Sequence, residues 1–225
     1  MTPFSTAFQR AVHFGLLVGV HLPDSKEPVP KPTLERLPEP ARSHARSLGG
    51  YRQVDWVGGR LALANSLDGL GHNPGDLLPD EHGAPVLPPG VTGSVSHKRT
   101  LAVALTARTE HGTLGCDLED LSPERDGIAE RVLLPEELEV VRALPPERQW
   151  VGTLLRFSFK ESIYKALHPF VHRYVGFDEA FVDPDTDQTA HIELRLKEGE
   201  GPFQLEGRFL WLPGRVLTMV RLHQG

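Results

Sequence analysis

Three successive runs near the C-terminus, HIELRL (191–196), FQLEGRFLWL (203–212) and RVLTMVRLH (215–223), alternate apolar and polar residues with turn residues between them. A period of two places alternate side chains on opposite faces of a strand. Three such runs in sequence predict an antiparallel meander with one face buried. Upstream the period changes. Residues 147–168 carry helical apolar spacing without a break, and 54–70 (VDWVGGRLALANSLDGL) do so despite the Gly58–Gly59 pair. Pro135-Glu136-Glu137 opens another helix, with proline tolerated in the first turn and acids favouring its positive end. Residues 22–40 are proline-rich and 72–93 dense in Gly, Pro and Asp, so both read as extended connections. LAVALTA and GTLGCDLEDL bracket the short RTEHG and predict a strand pair. Helices and strands occur in both halves. The expected class is therefore α+β, with two similar-sized lobes at 1–112 and 113–225.

The apolar stretch AVHFGLLVGVHL near the N-terminus is interrupted by His13 and His21 and lacks a small-residue cleavage site, so it reads as a buried strand rather than a secretion signal. No apolar run approaches the roughly 18 residues of a membrane span. The single cysteine, Cys116, excludes an internal disulfide and fits a cytoplasmic setting. The net charge of −6 argues against general nucleic-acid binding. That charge is uneven: 10 basic and 9 acidic residues precede position 108, against 14 and 21 from there on. Such a split suits a cation-binding acidic half and an anion-holding half, or simply an unevenly decorated surface.

Three short motifs carry possible chemistry. In Asp117-Leu118-Glu119 the two carboxylates share one face of a strand, an arrangement open to a divalent cation or to solvent. In FSFKESIYKAL, Phe157, Glu161 and Lys165 form one helical stripe. Glu161 can take a cation or accept a proton, and Lys165 can neutralise phosphate oxygens; taken alone, the pair reads first as an exposed salt bridge. In GSVSHKRT, Ser96 and His97 stand beside Lys98 and Arg99, a set suited to phosphate or to a polar turn. Arg52 and Arg60, eight residues apart, can each hold an anion. No phosphate loop of the GxxxxGK[ST] or GxGxxG type occurs.

The order RQVDWVGGR, HGAPVLPPGVTGSVSHK, LGCDLE, FSFKESIYKAL resembles the 4'-phosphopantetheinyl transferase superfamily. More narrowly, it resembles the long, monomeric class that activates siderophore, nonribosomal-peptide and polyketide synthases, in its enterobactin-associated branch. The resemblance covers residues 40–185. It implies two pseudo-symmetric lobes with coenzyme A in the cleft between them, magnesium as cofactor, and an apo acyl- or peptidyl-carrier protein as acceptor. Asp117, Glu119 and Glu161 would match the magnesium-binding acids, and Lys165, with Lys160 nearby, the lysine at the pyrophosphate. Ser96 and His97 would sit at the nucleotide, with His97 near the 3'-phosphate. Arg52 and Arg60 would hold coenzyme A phosphates, and His82, Gly83, Ala84 and Pro85 would border the adenine. Phe157 stands where many relatives carry Trp, and Asn65 where a further Arg is common.

Under this reading a carrier serine attacks the β-phosphorus of coenzyme A and releases adenosine 3',5'-bisphosphate, with Glu161 as candidate base. The rivals are a magnesium-dependent pyrophosphate-cleaving hydrolase and a catalytically silent coenzyme A-binding regulator. Carrier proteins of this kind are usually acidic, so a chain of net negative charge is expected to recruit them by an apolar patch. Leu133, Leu134 and Val140 are the candidates for it, and ordinary core positions are the alternative.

Overall fold

The computed structural model describes residues 2–225, which divide into two compact units, one ending at His111 and the other spanning Gly112–Gly225. In the first, β1 (Thr6–Val12) and β2 (Gly15–His21) form a hairpin, followed by α1 (Lys31–Leu34), α2 (Glu39–Arg46) and α3 (Gly50–Gly69), then β3 (Val91–Lys98) and β4 (Leu101–Arg108). The antiparallel sheet runs β1-β2-β4-β3, and the N-terminal apolar stretch is its β2, with Leu17, Val18 and Val20 fully buried. Helix α3 packs on β2, β3 and β4. Its Gly58–Gly59 pair explains how closely. A Cβ at Gly58 would overlap Leu22, and one at Gly59 would lie 2.9 Å from Val95. The helix tolerates two glycines because they lay its backbone against the sheet, which offsets their poor helix propensity.

The second unit holds β5 (Thr113–Asp120), α4 (Ala129–Val132), α5 (Pro135–Ala143), α6 (Pro146–Val171), β6 (Ala180–Pro184), β7 (Thr189–Leu194), β8 (Phe203–Leu212) and β9 (Arg215–Gln224). Its antiparallel sheet runs β5-β9-β8-β7-β6, so the expected meander is present as β7, β8 and β9. The long helix runs past its expected end, through Pro169, and stops where His172 takes a left-handed conformation.

One expectation is corrected. LAVALTA and GTLGCDLEDL both form strands, β4 and β5, but they do not pair with each other. β4 lies between β2 and β3, whereas β5 pairs with β9, aligning Asp117 with Thr218 and Glu119 with Val216. RTEHG, much of it a single 3₁₀ turn, is where the chain leaves one sheet for the other. Local pattern predicts strands well and their partners poorly, because pairing depends on burial supplied by distant segments.

β5 and α6 meet at Gly115. A Cβ there would overlap the Ser162 carbonyl oxygen and sit 2.8 Å from the Ala166 nitrogen, both backbone atoms that cannot swing aside. Beside it, the Thr113 hydroxyl donates to the Ala166 carbonyl at 3.0 Å. Gly115→Ala is therefore expected to push α6 off β5 and cost about 3 kcal/mol, the upper end for overpacking. Urea unfolding would measure it; a loss below about 1 kcal/mol would mean that the two backbones separate easily.

Candidate active site

The close β5–α6 approach sets out the acidic cluster. Leu118 is buried in the core, and Asp117 and Glu119 project from the other face of β5. Asp117 Oδ2 accepts from the Ser158 hydroxyl at 2.9 Å, and its Oδ1 from Lys165 Nζ at 2.9 Å. Lys165 Nζ also donates to the Cys116 carbonyl at 2.9 Å. Behind them, the Ser158 and Ser162 hydroxyls both bond to Thr218 Oγ1, at 2.9 and 2.8 Å, closing the seam between helix and sheet. Glu119 Oε2 accepts from Arg125 Nη2 at 3.2 Å.

Glu161 stands half-buried within the field of these groups. Burial, then the neighbouring charge of Asp117 and less so of Glu119, push its carboxyl above the usual range, while Lys165 pulls the other way. Burial disfavours the charged Lys165, but Asp117, Cys116 and Glu161 together outweigh it and hold the ammonium above its ordinary value. Asp117 and Glu119, 44 and 42 positions before Glu161 in sequence, thus both act on it. Among the described residues, no three His, Cys, Asp or Glu side chains already stand as a ligand cluster, and Lys165 and Arg125 occupy Asp117 and Glu119 instead. The donor set nevertheless suits magnesium: all oxygen, anionic, and under mutual repulsion that a cation would relieve.

Lys160 does not fit the role expected of it. It is buried, and its ammonium donates to Glu137 Oε2 at 2.6 Å, the Val132 carbonyl at 2.9 Å and the Phe177 carbonyl at 2.8 Å. Three donors, three acceptors: none is left for a phosphate. Glu137, fully buried, also accepts the Leu134 and Val182 backbone N–H groups, both at 2.7 Å, so the pair ties α5, α6 and β6 together. Leu133 and Leu134 are buried as well, Leu133 in a small cluster with Val132 and Val141, which removes both as docking residues; Val140 is exposed.

A cavity of about 80 Å³ opens beside Glu161, walled by Tyr164 from α6 and by Tyr174, Val175 and Phe177 from the segment that follows. Sequence reasoning missed this wall; the aromatic run YVGF just beyond the helix was the available signal. The wall is anchored by Arg173, whose Nη2 and Nη1 donate to Glu179 Oε2 and Oε1 at 2.7 and 3.0 Å and whose Nε donates to Glu200 at 2.6 Å. Those bonds hold the Glu179 carboxyl at about 2.

In the first unit, Arg60 is buried, and its Nε donates to the Leu77 carbonyl at 2.7 Å. Its guanidinium lies 4.9 Å from the Trp56 ring centre, and Nη2 is buried with no hydrogen-bond partner. Burial lowers its pKa to about 10, with Asp80 opposing, so it stays cationic at neutral pH. Asp80 also shapes the loop at 82–85: its Oδ1 accepts the His82 and Ala84 N–H groups, each at 2.9 Å, and Gly83 turns with φ of +89°. Arg60 and the His82–Pro85 loop are therefore brought together. Arg52 is exposed. Ser96 is buried, whereas His97 faces out with Nδ1 3.6 Å from Asp55. Asn65 donates to the Thr6 hydroxyl at 3.1 Å.

Comparison with known proteins identifies the family. Residues 42–107 match the 4'-phosphopantetheinyl transferase N-terminal domain, and residues 113–211 match the 4'-phosphopantetheinyl transferase superfamily. The chain belongs to that superfamily. It is 38% identical to the 4'-phosphopantetheinyl transferase Svp of Streptomyces mobaraensis, over 81% of this chain and 77% of that one. It is 32% identical to PptT of Mycobacterium tuberculosis, over 85% and 88%. With enterobactin synthase component D of Salmonella typhimurium it shares 32% identity, over 70% and 64%. The chain is accordingly a transferase that delivers phosphopantetheine to carrier proteins, and the hydrolase and silent-regulator readings are not supported. Among the described residues, no helix of this transferase is long and apolar enough to cross a membrane.

Lys160 supplies the check on this division between packing and chemistry. Lys160→Met leaves the buried Glu137 without its counter-charge and is expected to cost about 3–5 kcal/mol of stability. A variant that melts like the wild type but binds coenzyme A poorly would return Lys160 to the phosphate.

Proposed function

We propose that the acidic cluster of the second unit is the magnesium and transfer site, and that Arg60 with the His82–Pro85 loop receives the nucleotide end of coenzyme A. The observation that carries the reading is the mutual action of Asp117, Glu119 and Glu161, with Lys165 one helical turn from Glu161. Asp117, Glu119 and Glu161 would hold the metal, which when bound neutralises charge on the pyrophosphate. Lys165 donates to phosphate oxygens from the same helix face. Glu161, through the carboxylate oxygen left off the metal or through a water, would accept the proton of the carrier serine as the oxygen attacks the β-phosphorus; adenosine 3',5'-bisphosphate leaves.

Arg60 matters through its unpartnered Nη2. A buried guanidinium with a spare donor is costly unless an anion completes it, and a phosphate of coenzyme A would do so. His97, exposed beside Asp55, supplies a second contact at the 3'-phosphate, with Ser96 beside it on β3 and Arg52 further out. The acceptor is the carrier domain of a siderophore, nonribosomal-peptide or polyketide synthase. The enterobactin-synthase relative supports the first, the resemblance to the long class suits a monomer, and the lone buried Cys116 suits a cytoplasmic setting.

Intact-mass measurement of an apo-carrier protein with coenzyme A and magnesium tests the reaction. Wild type should add one phosphopantetheine, and Asp117→Asn should lose most of that activity at limiting magnesium; near-normal turnover in the variant would remove Asp117 from the site. Arg60→Met should weaken coenzyme A by on the order of 10- to 150-fold, the worth of a charge-assisted contact, while still folded by thermal melt. Unchanged affinity would leave Arg60 a packing residue.

A further inference from the structure

The connection from β5 to α4 is exposed at every position from Ser122 to Gly127 except Arg125. This one side chain turns in. Its Nη2 lies 3.2 Å from Glu119 Oε2, and its guanidinium carbon lies 4.8 Å from the centre of the Phe157 ring and 5.6 Å from that of Trp150. Trp150 in turn donates its indole N–H to the Leu121 carbonyl at 2.6 Å, fixing the start of the same connection to α6. Arg125 is thus seated on two α6 aromatics while its charge rests on a carboxylate of the acidic cluster. Glu119 is almost fully buried, whereas the Arg125 side chain keeps 37% of its surface in solvent. A buried anion whose partner is part-exposed and carried on an otherwise solvated loop can exchange that partner for another cation, although losing it without replacement would leave the charge uncompensated.

We propose that Arg125 is a built-in counter-ion for Glu119, which a divalent cation displaces, so that metal binding frees the Ser122–Gly127 connection from α6. This rests on the reading that Asp117, Glu119 and Glu161 take magnesium. Without the metal, the guanidinium balances the charge that the close β5–α6 approach has concentrated. With it, the cation replaces that balance at Glu119, and Arg125 leaves the Phe157 and Trp150 faces for solvent. The connection follows, because among its residues Arg125 is the one that is not exposed. Metal loading and the state of the loop become one equilibrium, and each biases the other by the same factor.

Titration calorimetry with Mg²⁺ alone, and Trp150 emission recorded through the same titration, test this on the full chain. Arg125→Gln should remain folded by thermal melt, its amide still able to donate to Glu119, and bind Mg²⁺ roughly 2- to 5-fold more tightly, since the guanidinium no longer has to be displaced; a partly exposed ion pair has about that worth. Wild type should show a Mg²⁺-dependent change in indole emission that is lost in both Arg125→Gln and Trp150→Phe. Equal or weaker Mg²⁺ binding by Arg125→Gln, or an emission change that persists in it, overturns the displacement. Asp117→Asn separates the two levels. If it removes Mg²⁺ uptake while Arg125→Gln changes nothing, the metal reading stands and the counter-ion role falls. If Asp117→Asn binds Mg²⁺ as the wild type does, or the wild type takes up none, both fall.

Discussion

The backbone contact between β5 and α6 at Gly115 is the constraint on which the candidate site depends. With any side chain there, the helix would stand off the strand. Lys165 could then no longer reach both the Cys116 carbonyl and Asp117, nor Ser158 the other oxygen of the same carboxylate. The contact also drives the electrostatics. It brings Glu161 into the field of Asp117 and Glu119 at a depth where water screens poorly, and a carboxyl under those conditions is pushed towards its neutral form. A site that pulls acids together must also compensate them. Here the compensation comes from Lys165 on one carboxylate and Arg125 on the next.

The first unit poses the opposite problem with a similar solution. Burying Arg60 costs solvation, and the chain recovers part of it with the Leu77 carbonyl, the Trp56 face and the charge of Asp80. Nη2 is left over. Incomplete pairing of this kind costs stability and leaves a donor that an anion can satisfy. Lys160 shows what a finished buried cation looks like: every donor is used, and the residue belongs to the scaffold. The two are told apart by counting donors, not by burial, since both are equally inaccessible.

The sequence made much of this legible, for reasons tied to particular residues. The period of two in β8 and β9, the long unbroken helix and the D-x-E pair are local patterns, and local patterns survive folding. The partnership of β4 and β5 was not legible, because a short polar link between two apolar runs looks the same whether the strands pair or part. Lys160 could have been separated from Lys165 beforehand. Five residues of helix turn the chain by about 140°, so the two ammonium groups had to leave α6 on different sides. Asp80 and Arg125 gave no signal: each is an ordinary loop charge until the fold sets it against a buried partner. The Gly58–Gly59 pair also reads as a weak point in a helical sequence, although the structure makes it, like Gly115, a point of close packing.

The central claim is that Asp117 and Glu161, carried by different elements, form one cation-binding unit. A double-mutant cycle on Mg²⁺ affinity, with Asp117→Asn, Glu161→Gln and the combined variant, addresses it directly. Two ligands of one ion are expected to couple by about 1 kcal/mol or more, so the combined loss should differ clearly from the sum of the single losses. Losses that add to within about 0.3–0.5 kcal/mol would mean that the two carboxylates act independently, and would contradict the account.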